Sequence, residues 1–184
     1  MICKFQFNQK AFNLLHMKTS HCIVLFFASI LVVSCKVQYG FTGASIGTDT
    51  KTFQVNYFQN NAPLIEPGLD RDFTNALIDL LQNQTNLSLV KSNGDLVYEG
   101  EITQYRISPT TATSQNTAAQ NRLTIGVKVH FYDKHDEDAE FEQTFSFYYD
   151  YAGSAQLDSV KNDAIAEIFE RITQDIFNAS LAKW

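Results

Sequence analysis

The residue with the most definite chemistry in this chain is a thiol. Cys35 stands where an apolar run stops: Cys22 to Val33 reads CIVLFFASILVV and carries no charge. A transmembrane helix needs about 20 apolar residues, so this run is short for one. Lys4, Lys10, Lys18 and His21 precede it. A basic stretch, a short apolar core and small residues at a cut site make a secretory signal. Val32-Val33-Ser34-Cys35 then supplies an aliphatic residue, a small residue and a Cys. That is the pattern cut by the signal peptidase for bacterial lipoproteins, and the sulfur is the atom that accepts a diacylglycerol. The expectation is a signal peptide over 1–34 and lipidation of Cys35, with a covalent diacylglycerol and an N-acyl chain there and no other cofactor. The competing reading is an ordinary signal that happens to end near a Cys. Met17 is a plausible start, giving the signal MKTSHCIVLFFASILVVSC.

The rest of the chain offers little that could catalyse. Nucleophilic catalysis needs a Ser, Cys or Lys with a base in reach. The part after the cut keeps two His, His130 and His135, and no G-x-S-x-G elbow. His130 falls on the polar side of an alternating stretch and reads as a surface imidazole. Glu99 and Glu101 share one strand face and read as solvent-facing acids rather than an acid–base pair. Asp133, His135, Asp136, Glu137 and Asp138 crowd one turn, but the spacing lacks the Gly and the twelfth-position acid of a calcium loop. A solvated hairpin tip is expected there, with no metal. Asp158-Ser159-Val160 matches a three-residue bacterial O-glycosylation signal at Ser159, and equally an ordinary helix start.

Charge narrows the partners. The whole chain carries net charge -6, and removing Lys4, Lys10 and Lys18 with the signal takes it to -9. Nucleic-acid binding rests on Lys and Arg at phosphates, so no nucleic-acid partner is expected. Cys3 and Cys22 leave with the signal, so no disulfide framework remains.

The elements that hold these residues follow from periodicity. Residues 35–51 are small and polar, a lipidated tether. Residues 52–184 are one domain of ordinary size. Thr52 to Phe58 alternates with Phe53, Val55 and Tyr57 on one side, a half-buried strand. Gln59 to Gly68 is a loop. Leu69 to Gln82 is a helix, with Leu69, Phe73, Ala76, Leu77, Leu80 and Leu81 on one face and Asp70 and Asp72 in its first turn. Leu87 to Lys91 is a short strand, and Ser92 to Asp95 a turn whose Asn-Gly pair accepts positive φ. Leu96 to Ser108 is a strand whose alternation falters at Gly100, which indicates a bulge or a close backbone approach. Pro109 to Asn121 reads as a long polar loop. Arg122 to Tyr132 and Phe141 to Tyr149 form a hairpin, and Gln156 onward is a long amphipathic helix. The economical packing is an α+β two-layer sandwich. It has a mostly antiparallel sheet of four to five strands, with both helices on one face.

In order along the chain, YGFTGASI (39–46), FQVNYFQNNAPLIEPGLDRDFTNAL (53–77), GDLVYEGEITQYRISP (94–109), NRLTIGVKVHF (121–131), FEQTFSFYYDY (141–151) and IFERITQDIFNASLAKW (168–184) resemble the LptE family in its Bacteroidota branch. These are lipopolysaccharide-assembly lipoproteins of the outer membrane. The resemblance spans essentially all of 35–184, and its specificity lies in the order of the segments. It implies a non-enzymatic protein anchored in the outer membrane. Such a protein sits partly inside the β-barrel LptD and helps it insert lipopolysaccharide, or lipooligosaccharide, while binding the lipid itself. Lipid phosphates need facing cations, and the candidates near the strand ends and hairpin are Arg106, Arg122, Lys128 and Lys134. Each also reads as an ordinary surface charge.

A different class remains open: an envelope or surface lipoprotein that binds a soluble ligand or serves a structural or adhesive role. Surface display in Bacteroidota often follows an acidic stretch after the lipidated Cys. Lys36-Val37-Gln38-Tyr39-Gly40 lacks one, so the periplasmic face of the outer membrane is expected.

Overall fold

The computed structural model describes residues 46–112 and 118–182. Cys35, the signal and most of the tether lie outside the described residues. The elements run β1 Thr52–Val55, β2 Gln59–Asn60, α1 Leu69–Gln84, β3 Ser88–Leu89, β4 Leu96–Ala112, β5 Ala118–Asp133, β6 Phe141–Ala152 and α2 Leu157–Leu181. A single 3-10 turn, Glu137–Ala139, sits in the β5–β6 connection.

The fold is α+β, with two helices and a six-stranded sheet in the order β3-β1-β4-β5-β6, β2 also pairing with β4. The sheet is more mixed than the sequence suggested. β4, β5 and β6 are antiparallel, but β1 runs parallel to both β3 and β4, and β2 parallel to β4. Helix α1 causes this: it returns the chain to the end of the sheet where β1 began, the requirement for a parallel neighbour.

One greasy face of the sheet meets both helices. Leu123, Ile125, Val127, Val129 and Phe131, the alternate residues of β5, are all fully buried. Ile168, Ile172 and Ile176 of α2, which lies over β5 and β6, share this core with Phe73, Leu77 and Leu81 of α1, which lies over β1, β2 and β3. Phe73 joins the layers, edge-on to Phe58 at 5.1 Å and to Phe169 at 5.2 Å. Tyr98 in β4 is fully buried, and its hydroxyl meets Ser180 Oγ of α2 at 2.9 Å. That bond satisfies a polar atom that would otherwise cost its desolvation; burial pushes the Tyr98 phenol well above its usual pKa.

Two expectations need correction. The Thr52–Phe58 strand breaks after Val55: Tyr57 turns outward, 55 % exposed, and Phe58 is the fully buried ring. Gly100 makes this possible. A Cβ there would sit 2.9 Å from the Phe58 ring and would collide with the Lys128 carbonyl. The faltering alternation at Gly100 therefore marks a close approach. The bulge falls at Thr103, between the pairs Ile102–Val127 and Gln104–Gly126. The polar loop expected over Pro109–Asn121 is largely strand, since β4 continues to Ala112 and β5 starts at Ala118. Thr, Ala and Gln there satisfy their main chains across the hairpin, a tertiary gain that composition does not reveal.

Candidate functional site

The helices cover one side of the sheet and leave the other open. On β5 the residues between the buried ones are Arg122, Thr124, Gly126, Lys128, His130 and Tyr132. The cross-strand register sets them beside Glu99, Glu101, Arg106 and Ser108 of β4 and Glu142, Tyr148 and Asp150 of β6. The period-2 pleat thus gathers Glu99, Glu101, Arg106, Arg122, Lys128 and His130, all singled out by the sequence, onto one surface.

Toward the β5–β6 turn this surface is a connected polar groove of about 410 Å³, whose lining includes Asn56, Tyr57, Glu99, Glu101, Lys128, His130 and Glu142. His130 is not an isolated imidazole. Its Nδ1 lies 2.6 Å from the Tyr132 hydroxyl, and its Nε2 lies 3.1 Å from Glu140 Oε1. Glu99 accepts from Asn56 Nδ2 at 3.0 Å and from the Tyr132 hydroxyl at 3.3 Å. Partial burial, then Glu99, raises the Tyr132 pKa. Asn61 Nδ2 donates to Glu101. Lys128 Nζ is 2.8 Å from Glu142; the hydrogen bond between them raises the lysine's pKa and lowers the glutamate's. Glu99 and Glu101, which the sequence presents as solvent-facing acids, each accept a hydrogen bond from an Asn side chain.

The other end of the surface holds the arginines. Arg122 makes a two-pronged contact with Asp150, Nε to Oδ1 at 2.7 Å and Nη2 to Oδ2 at 2.8 Å. Its guanidinium carbon lies 3.5 Å from the centre of the Tyr148 ring. Hydrogen bonding to Asp150 raises the arginine's pKa and lowers that of the aspartate. Arg106 stands across from Thr124, and Arg122 across from Ser108, so the two arginines are diagonal neighbours about 7–8 Å apart along the backbone. Arg106 is exposed, with no ion pair among the described residues. The structure thus brings Arg106 and Arg122 together, places Lys128 further along the same face, and sets Lys134 apart at the hairpin turn. There the Lys134 N–H bonds the Asp95 carbonyl at 2.9 Å.

Ser159 is exposed in the first turn of α2, its hydroxyl donating to the Gln156 carbonyl at 2.7 Å. Cys35 lies outside the described residues. Among the described residues no group of His, Cys, Asp and Glu is arranged to hold a metal ion, and no helix is long and apolar enough to cross a membrane. The acidic turn is tied back to the domain instead: His135 Nε2 lies 3.5 Å from Asp95 Oδ1. Asp95 is a residue that sequence reasoning passed over as part of a turn. Its carboxylate takes the N–H groups of Lys51 and Thr52 at 2.9 and 3.0 Å and the Thr52 hydroxyl at 2.8 Å. These bonds, the Lys51 N–H first, hold its pKa down at about 2. Asp150 and Tyr148 were passed over too. Their one signal was hairpin register: pairing the strands about Asp136 sets Asp150 opposite Arg122.

Comparison with known proteins places this architecture. The family model described as "LptE: Lipopolysaccharide-assembly" matches residues 50–180. No curated protein matches the chain. Among solved structures, the hypothetical protein CT253 from Chlamydia trachomatis is similar over 73 % of this chain and 99 % of its own, at 11 % identity and TM-score 0.51. The rare lipoprotein B from Shewanella oneidensis is similar over 68 % of this chain and 89 % of its own, at 12 % identity and TM-score 0.46. A minor lipoprotein from Acinetobacter baumannii is similar over 73 % and 98 %, at 16 % identity and TM-score 0.44.

Proposed function

Because the chain belongs to the LptE lipopolysaccharide-assembly family, we propose that it is the lipoprotein partner of the export barrel LptD. In that role it occupies part of the barrel and assists the insertion of lipopolysaccharide, or lipooligosaccharide, into the outer membrane. The observation that carries this is the extent of the family match. It runs from residue 50 to residue 180 and so takes in every strand and nearly all of both helices.

The open face suits such a role physically. A barrel lumen is polar, and this face presents Thr, Ser, Tyr, amide and paired charged side chains rather than apolar ones. A non-enzymatic role is what the family match supports, and in the groove Glu99, Tyr132, His130 and Glu140 are tied into one hydrogen-bonded set. Cys35, carrying the lipid, anchors the protein at the periplasmic face of the outer membrane.

Direct contact with the lipid is assigned first to Arg122. Its fork already holds a carboxylate in two-pronged geometry, the arrangement that a phosphate oxygen pair also takes, and Tyr148 fixes its plane. Asp150 would then be a resident anion that a lipid phosphate displaces. Lys128, paired with Glu142, and Lys134 are secondary contacts of the same kind. Depletion of the protein in living cells tests the role. Newly made lipopolysaccharide should stop reaching the cell surface while the protein content of the outer membrane stays normal. Undiminished arrival at the surface would overturn the proposal.

A further inference from the structure

Two long strands border the antiparallel half of the sheet. On the β4 side, β1 pairs only with Leu96–Tyr98 and β2 only with Glu101–Ile102. The last main-chain bond on that side runs from the Asn61 N–H to the Ile102 carbonyl at 2.9 Å. Beyond Ile102, β4 has no second neighbour among the described residues. The Thr103 bulge then shifts the pleat by one residue. Ile102 turns its main-chain groups away from β5, so after the extra residue Tyr105, Ile107 and Pro109 turn theirs away. Pro109 fits this parity, because the N–H it lacks would face no partner.

This free edge has an apolar shoulder. Leu64 is 51 % exposed, Ile65 68 % and Ile107 40 %. Leu64 and Ile107 line a groove of about 640 Å³ between the Pro63 loop and β4. Natural sheet edges are ordinarily blunted by charge or cover. Here Arg106 is exposed and without an ion pair among the described residues, whereas the charges near Tyr105, Glu66 and Lys161, are paired with each other at 2.9 Å. The β6 edge differs: the charged residues on its open side, Glu142 and Asp150, are ion-paired to β5.

We propose that β4 from Tyr105 to Pro109 receives an extended strand from a partner protein. The strand takes the place vacated where β2 ends. It sets an apolar side chain against Leu64 and Ile107 and a carboxylate beside Arg106. An unpaired edge supplies main-chain hydrogen bonds along the strand, and the apolar pocket and the cation supply its specificity. The proposal needs a protein at this edge, but it does not depend on that protein being LptD.

The test uses the full lipidated chain in its native membrane. A photo-crosslinking amino acid replaces Ile107, and, as a control on the other edge, Thr144. Crosslinked peptides are identified, and the complex is then purified for amide exchange. The expected result is a crosslink from position 107, and not from 144, to one segment of another protein. In that complex the Tyr105 and Ile107 amides should exchange at least about tenfold more slowly than in the free chain, as newly bonded amides do. R106E and L64D, both at exposed positions, should each weaken the complex while the free domain melts as wild type. A crosslink only to lipid, to a second copy of this chain or to its own residues 35–45 would overturn the proposal, as would unchanged exchange of those two amides. If the captured protein is not a barrel, the function proposed above falls and the strand addition stands.

Discussion

Arg122 and Asp150 are a pair whose purpose can be read by removing either member. The pair is about one-third exposed on each side, so it contributes little to stability, as exposed ion pairs do. If Asp150 holds the place of a lipid phosphate, Asp150→Asn should bind purified lipopolysaccharide a few-fold more tightly. Arg122→Ala should bind it a few-fold less tightly, and both domains should melt as wild type. Calorimetric titration against lipopolysaccharide micelles reads both; equal affinities for the two variants would remove Arg122 from the lipid site. The arginine was legible in the sequence as a cation near a strand end, but its occupied state was not. Arg122 and Asp150 lie 28 residues apart, and only the hairpin register sets them in contact. The same holds for Lys128 and Glu142. A list of cations therefore overstated what is available to a phosphate, since two of the four already hold a carboxylate.

Among the elements, the amphipathic helices and the clean alternation of β5 were legible because one buried face imposes a fixed period. Of the short parallel strands, β1 and β3 fall inside the stretches expected as strands, Thr52–Phe58 and Leu87–Lys91, but β2 was not legible. It is two residues long, and its pairing with β4 makes it, with no local pattern to show it. Gly100 sits between these cases: the interrupted alternation was visible, and its cause, the Lys128 carbonyl and the Phe58 ring, needed the packing. Gly100→Ala should therefore destabilise the domain by about 1–3 kcal/mol, the range for overfilling a packed site. Gly47→Ala, where the nearest atom is 3.6 Å away, should be close to neutral. Thermal melts of the two variants compare them directly, and an unchanged melt for Gly100→Ala would mean that β2 and Phe58 do not pack against β4 as described.

For the whole molecule, the α+β class and the two-helix layer followed from hydrophobic pattern alone, and the family match runs through the same elements. The mixed sheet and the β4–β5 hairpin, whose strands continue to Ala112 and from Ala118, are what the pattern left out. Polar Thr- and Gln-rich strands look like loops until their partner is known. Two forces would hold the protein at the membrane, the acyl chains on Cys35 and the barrel. Cys35→Ala should fold normally, carry no lipid by mass, keep its uncut signal and be absent from the outer-membrane fraction. If it stayed with the outer membrane, the barrel would be the main anchor. The central claim is tested most directly by isolating the tagged wild-type lipoprotein from detergent-solubilised outer membranes and identifying what comes with it. The account predicts a single large outer-membrane β-barrel in near-equal amount; a lipoprotein that reproducibly isolates alone, from membranes in which that barrel is present, would contradict it.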